Sequence, residues 1–122
     1  MTDLTWRYRF TIDHVHDGDT VMGDIDLGMR IWRHKATVRI FGFDAPELKD
    51  EKAFGVFASQ KMATLLPAGA VVWLTSQAFD DKYGRVLGDF ATDACPSVAA
   101  LGQANGWLRP YTGEGPKPWK LA

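Results

Sequence analysis

There is one cysteine in 122 residues. Cys95 therefore has no partner for an intrachain disulfide and no second thiolate for a Cys-based zinc site, and its expected role is packing. Charge of one sign is also missing. The formal net charge is −1, whereas a protein that held nucleic acid by diffuse attraction would be basic. Any phosphate chemistry must then rest on a few placed cations, with a metal where those do not suffice. No apolar run approaches a membrane span, and "MTDLTWRYRF" lacks the basic leader and apolar core of a signal peptide. The expectation is a soluble protein, cytoplasmic by default, with secretion left open. Histidine is scarce: His14 and His16, at i and i+2, could share a strand face as metal ligands, but no third soft ligand accompanies them, so polar surface is the favoured reading.

What is present is ordinary globular composition, 46% hydrophobic and 24% charged, which disfavours wholesale disorder. The length allows one domain across 1–122 and is too short for a doubly wound sheet with a second lobe. No repeat or low-complexity segment interrupts it, and the Gly/Pro-rich tail from about residue 112 is expected to be irregular.

Trp6, Tyr8, Phe10 and Ile12 alternate with Arg7, Arg9, Thr11 and Asp13, the period of a half-buried strand. After "DGDT", Val21, Ile25 and Leu27 share a parity opposite Asp24 and Asp26, and Gly28 permits a turn. A third strand is predicted from about Ile31 to Phe43, long enough to need a bend near Gly42. Phe54, Ala58, Met62 and Leu65 then fall at helical spacing before Pro67 and Gly69. "AVVWLT" and "RVLGDFAT" read as strands four and five around a polar turn containing "DDKYGR". Pro96 can open a second helix with Val98 and Leu101 inward and Gly106 at its end. Three strands, a helix, two strands and a helix predict a mainly β, OB-like five-stranded barrel capped by two or three helices. The five tryptophans are expected in core and rim packing, with Trp107 held open as a base-stacking platform.

Three polar clusters stand out. "DGDT", Asp17 to Thr20, sets two acids around a glycine, which could offer oxygens to a hard cation but is also common turn chemistry. "VRIFGFDAPE" ends a strand carrying Arg39 in a corner with Asp44 and Glu47. "DDKYGR" crowds Lys82, Tyr83 and Arg85 into one turn. Each alone has a bland reading as a solvated turn. Together they supply what phosphodiester hydrolysis needs: a cation site, a base for water, and donors for the charge that builds on the phosphate oxygens.

In this order and spacing, "DGDT", "RIFGFDAPE" and "DKYGR" resemble the staphylococcal nuclease (thermonuclease-like) family, whose fold is an OB-type barrel with helices, over about Phe10 to Tyr111. The resemblance implies a calcium-dependent nuclease that cuts DNA and RNA with little sequence specificity and leaves 3′-phosphate and 5′-hydroxyl ends. It implies Asp19, Asp44 and the carbonyl of Ala45 as calcium ligands and Glu47 as general base. Arg39 and Arg85 would grip the scissile phosphate, while Lys82 and Tyr83 would contact a neighbouring one. Tyr111 is assigned to base stacking, within a residue or so in register. The protein is expected to act as a monomer. Ala45 stands where the staphylococcal nuclease has threonine, a change a carbonyl ligand tolerates, and the segment between Glu47 and the helix is shorter, which reduces the loop bordering the site.

Two other readings compete. "DGDTV", "VVWLTS" and "FDD" superficially echo haloacid-dehalogenase-like phosphatases, but that fold needs parallel strands with crossover helices between its motifs, and here the last two nearly touch. The stronger rival is a non-catalytic module of the same family, binding nucleic acid or peptide through an OB face bearing Arg7, Arg9, Tyr83 and Trp107. Retention of Asp19, Arg39, Asp44, Glu47 and Arg85 favours catalysis.

Overall fold

The computed structural model describes residues 6–46, 52–80 and 82–111, with the side chains of Lys52 and Phe54 outside that description. The element order is β1 (Trp6–Asp17), β2 (Thr20–Asp26), β3 (Trp32–Ile40), β4 (Phe43–Asp44), α1 (Lys52–Leu65), β5 (Val71–Asp80), β6 (Arg85–Ala91), α2 (Val98–Ala104) and β7 (Arg109–Pro110). Five strands close into a barrel in the order β1-β2-β3-β6-β5, and β4 pairs with β7 in a separate two-stranded sheet. This is the mainly β barrel with helices that the pattern predicts. Its ladders are antiparallel except at β3–β6, where Val38 and Ile40 lie parallel to Val86 and Gly88. The chain reaches that parallel pairing by crossing through α1 and β5.

Period-two alternation explains which residues fill the barrel. Phe10 and Ile12 of β1, Val21 and Ile25 of β2, and Ala36, Val38 and Ile40 of β3 are buried, as are Val72 and Leu74 of β5 and Val86 and Phe90 of β6. The rings of Phe10 and Phe90 meet at 5.1 Å between centroids with a 56° tilt. Burying side chains of this size contributes about 1.5–3 kcal/mol each. The helices close the ends of this core: α1 inserts Ala58 and Met62, with Leu66 just beyond its last turn, and α2 inserts Val98 and Ala99. Ser97 caps α2 by accepting from the Ala100 N–H, so Pro96 precedes the cap rather than opening the helix.

The sequence pattern and the structure part company at several points. The third strand does not bend at Gly42 but ends at Ile40. Gly42 takes φ +82°, a left-handed conformation that a side chain disfavours, and the chain restarts as β4 against Arg109 and Pro110. Leu27 lies beyond β2 and is 41% exposed, so it does not share the inward face of Val21 and Ile25. β5 runs on through "SQAFD" to Asp80, with a bulge between Ser76 and Ala78. Leu101 is only half-buried. Of the tryptophans, Trp107 is in the core, Trp6, Trp32 and Trp73 are exposed, and Trp119 lies outside the described residues. The tail from 112 also lies outside them, as does Phe54's side chain.

Candidate active site

The "DGDT" motif forms the turn between β1 and β2, and its glycine is required by space. A Cβ on Gly18 would sit 2.6 Å from Ala58 Cβ and 2.7 Å from Ala45 Cβ. The turn is therefore wedged between α1 and the residue after Asp44. Asp19 is driven inward beside it, 6% exposed. Its Oδ1 accepts from the Thr20 hydroxyl at 2.9 Å and its Oδ2 from the Ala45 N–H at 2.9 Å. Sequence neighbours and a residue 26 positions away thus converge on one carboxylate.

Asp44 is 1% exposed at the end of β4. Arg39 reaches both acids from the outward face of β3, with Nη2 donating to Asp44 Oδ1 at 3.0 Å and lying 3.5 Å from Asp19 Oδ2. Buried carboxylates demand such compensation. One guanidinium serves two of them, and a third acid stands close by, since Asp17 Oδ1 accepts from the Asp19 N–H at 3.1 Å. Burial, reinforced by the adjacent Asp19, pushes the Asp17 carboxyl up to about 7. For Asp19 burial works upward, but the Asp17 carboxyl, Arg39, the Ala45 N–H and Thr20 together outweigh it and hold the group below its ordinary value.

Arg39 also opens onto a cleft of about 790 Å³ whose wall includes Asp80, Lys82, Tyr83, Arg85 and Tyr111. Asp80 and Arg85 are opposite partners across the β5–β6 hairpin. Asp80 Oδ2 accepts from Arg85 Nη2 at 2.8 Å and Nε at 3.3 Å, leaving the Nη1 side of the guanidinium unused by this pair. The exposed Tyr83 ring has two cations near it, with Arg85 Cζ 4.7 Å and Lys82 Nζ 5.3 Å from its centroid. Tyr111 arrives from the far end of the chain: its N–H donates to the Gly42 carbonyl at 2.8 Å, just past the β4–β7 pairing.

Of the residues singled out in the sequence, Asp19, Arg39, Asp44 and Ala45 are in one contact network, and Arg39, Lys82, Tyr83, Arg85 and Tyr111 line one cleft. Arg39 belongs to both. Glu47 lies outside the described residues, as does the shortened segment after it, which bordered the expected site. Trp107 is 3% exposed and cannot serve as an open stacking platform. His14 and His16 are on the surface, His14 beside Asp13 at 3.1 Å. Asp80 was missed as a functional position. Its signal was available: in a hairpin with a four-residue loop, Asp80 and Arg85 fall directly opposite. Asp17 reads as a turn acid able to offer an oxygen to a cation, but its burial beside Asp19 is not legible in the sequence.

The donor set can be tested against a cation on its own chemistry. Among the described residues no three His, Cys, Asp or Glu side chains converge as metal ligands. Asp19 and Asp44 are two nearly dry carboxylates that meet at Arg39, beside the backbone of Ala45, a set of hard oxygen donors. That fits calcium, which takes oxygen ligands and completes its shell with carbonyls and water.

No curated protein matches the chain. A family model described as staphylococcal nuclease homologue matches residues 37–104, a span that holds the end of β3 with Arg39, the Asp44 corner, α1, the Lys82–Arg85 hairpin and α2. The arginine-bearing third strand and the cationic hairpin that meet at one cleft both lie in this match, which covers more than half the chain, and the chain belongs to the staphylococcal nuclease homologue family.

Proposed function

We propose that the protein is a calcium-dependent nuclease that hydrolyses phosphodiester bonds in DNA and RNA with little sequence specificity, leaving 3′-phosphate and 5′-hydroxyl ends. The observation that carries this reading is Arg39, which spans from two buried aspartates to a cleft otherwise rimmed by Arg85, Lys82 and Tyr83. Asp19, Asp44 and the Ala45 carbonyl would hold the cation. Calcium, when bound, would neutralise phosphate charge that two arginines alone leave uncompensated. Arg39 and Arg85 would present planar donors to the phosphoryl oxygens, and these donors gain strength as charge builds in the transition state. The Arg85–Asp80 pair supports the role by holding the guanidinium with one edge unused. Glu47 would take the proton of the attacking water, Lys82 and Tyr83 would engage the adjacent phosphate, and Tyr111 would stack on a base.

The test is digestion of denatured DNA with calcium and with excess chelator, for the wild type and for Glu47→Gln. Glutamine keeps the shape of glutamate but cannot accept a proton at neutral pH. The variant should bind calcium and nucleotide nearly as well as the wild type and cut orders of magnitude more slowly, roughly 10²-fold or more. Binding without cutting by the wild type, with or without calcium, would instead identify a non-catalytic module.

A further inference from the structure

On the outer face of β1 and β5, away from the cleft, two arginines are held on one tryptophan. Arg7 Cζ lies 4.8 Å and Arg9 Cζ 4.9 Å from the Trp73 ring centroid. The two like charges are thus within about a Debye length, ~10 Å at 0.1 M salt. Neither has an ion-pair partner among the described residues, although the neighbouring strands carry acids. Asp26, opposite Arg9 in the ladder, turns to the Gly28 N–H at 2.9 Å. Asp89, on the β6 side, turns to Ser97 and the Ala99 N–H. All three members of the cluster are exposed.

This arrangement has a chemical direction. Arg7 and Arg9 each lie over the Trp73 ring, and the planar donor fork of a guanidinium matches a phosphate. Two such forks two residues apart on one strand have no ion-pair partner among the described residues. Trp73 does not present itself as a base platform, because it is the surface on which the cations rest.

We infer that Arg7 and Arg9, positioned by Trp73, form a second anchoring site for the phosphate backbone of single-stranded nucleic acid, separate from the cleft. The inference deepens the nuclease reading and rests on it, since the strand bound here would be the strand cut at Arg39 and Arg85. Trp73 and Asp80 are both on β5, and the path between them is about 23 Å at ~3.3 Å per residue. A trinucleotide in the cleft cannot span that distance, whereas ~16 nucleotides, the upper site size of one OB fold, can. The site should therefore confer a preference for long strands.

The experiment uses fluorescein-labelled thymidine oligonucleotides, a trimer and a 16-mer, with the full chain in chelator to prevent cutting. Anisotropy titrations at several salt concentrations compare the wild type with Arg7→Gln/Arg9→Gln and with Arg7→Lys/Arg9→Lys. The glutamine pair should weaken 16-mer binding roughly tenfold and flatten the salt slope by about 1.4, two phosphates at ~0.7 each. Trimer affinity and calcium-dependent cleavage of a dinucleotide should not change. The lysine pair should restore most of the salt slope but less of the affinity. Unchanged 16-mer affinity and slope in the glutamine pair, with dinucleotide cleavage intact, overturns the inference alone. Absence of binding and cleavage in the wild type overturns the nuclease reading as well. If polyglutamate displaces the 16-mer from the wild type at matched charge and depends on the same arginines, the occupant is an acidic protein surface and the inference fails.

Discussion

Arg39 carries two tasks that one residue type can combine. Its Nη2 compensates Asp44 and Asp19 while the rest of the guanidinium faces the cleft. A lysine at this position would keep the charge and lose the second donor direction. Arg39→Lys and Arg85→Lys should each reduce turnover by roughly thirty- to several-hundred-fold, the loss of about 2–4 kcal/mol of transition-state contact. Single-turnover cleavage at saturating calcium measures it, and near wild-type rates would remove these arginines from the chemistry. Asp80 acts one step back, as a positioning residue for Arg85. The Arg85 hydrogen bond, together with the Tyr83 and Lys82 N–H groups, holds its carboxyl below the usual value of 3.8 against the opposing effect of burial. Below that value the unfolded chain takes up the proton before the native one, so the pair's stabilisation is present at neutral pH and fades as pH falls through the folded value. Asp80→Asn should thus lower Tm at pH 7, and the gap from the wild type should close in acid below about pH 3.8. Thermal melts at pH 7, 5 and a series below 3.8 decide it: a gap that does not narrow as pH falls through that series would mean the contribution is not ionic.

At the scale of elements, the acidic turn is only as well placed as the helix behind it. Gly18 is the contact point, with no room for a methyl between Ala58 of α1 and Ala45. Gly18→Ala must displace one of them, and overpacking of this kind costs about 1–3 kcal/mol. Because Ala45 N–H is a partner of Asp19, the same displacement should loosen calcium affinity. A calcium titration of the folded variant that matched the wild type would show the turn and helix to be independent. This coupling also marks the limit of what the pattern carried. Alternation located β1, β2, β3 and β6 because each has one wet face, as in Phe10 and Ile12 against Arg9 and Thr11. β4 and β7 were illegible, since two-residue strands have no period, and their pairing depends on a turn at Gly42 meeting a segment more than sixty residues on. The end of β5 was hidden by the bulge after Ser76, which breaks the parity that would have extended it to Asp80.

For the molecule as a whole, the question is what an acidic cluster does to a fold of nearly balanced charge. The three short motifs named the cluster because turn and corner chemistry is local, and the barrel brings them together. Their burial was not legible, because Asp19 and Asp44 read as surface acids until the helix and the β4–β7 sheet cover them. Asp19 and Asp44 are held against Arg39 and away from water in the native state, whereas the unfolded chain disperses them into water. A divalent cation that binds only the native chain must then stabilise it by mass action. At a hundredfold excess over Kd the gain is about 2.7 kcal/mol, which for a domain of this length raises Tm by roughly 8–15 °C. Magnesium should give much less, since it holds its own water shell tightly and demands octahedral geometry. Asp44→Asn should abolish most of the calcium shift while leaving the chain folded, because asparagine retains a carbonyl oxygen for Arg39 but not the charge that holds the cation. Differential scanning calorimetry with and without calcium measures each shift. An equal shift in Asp44→Asn, or an equal response to magnesium, would place the cation elsewhere on the protein.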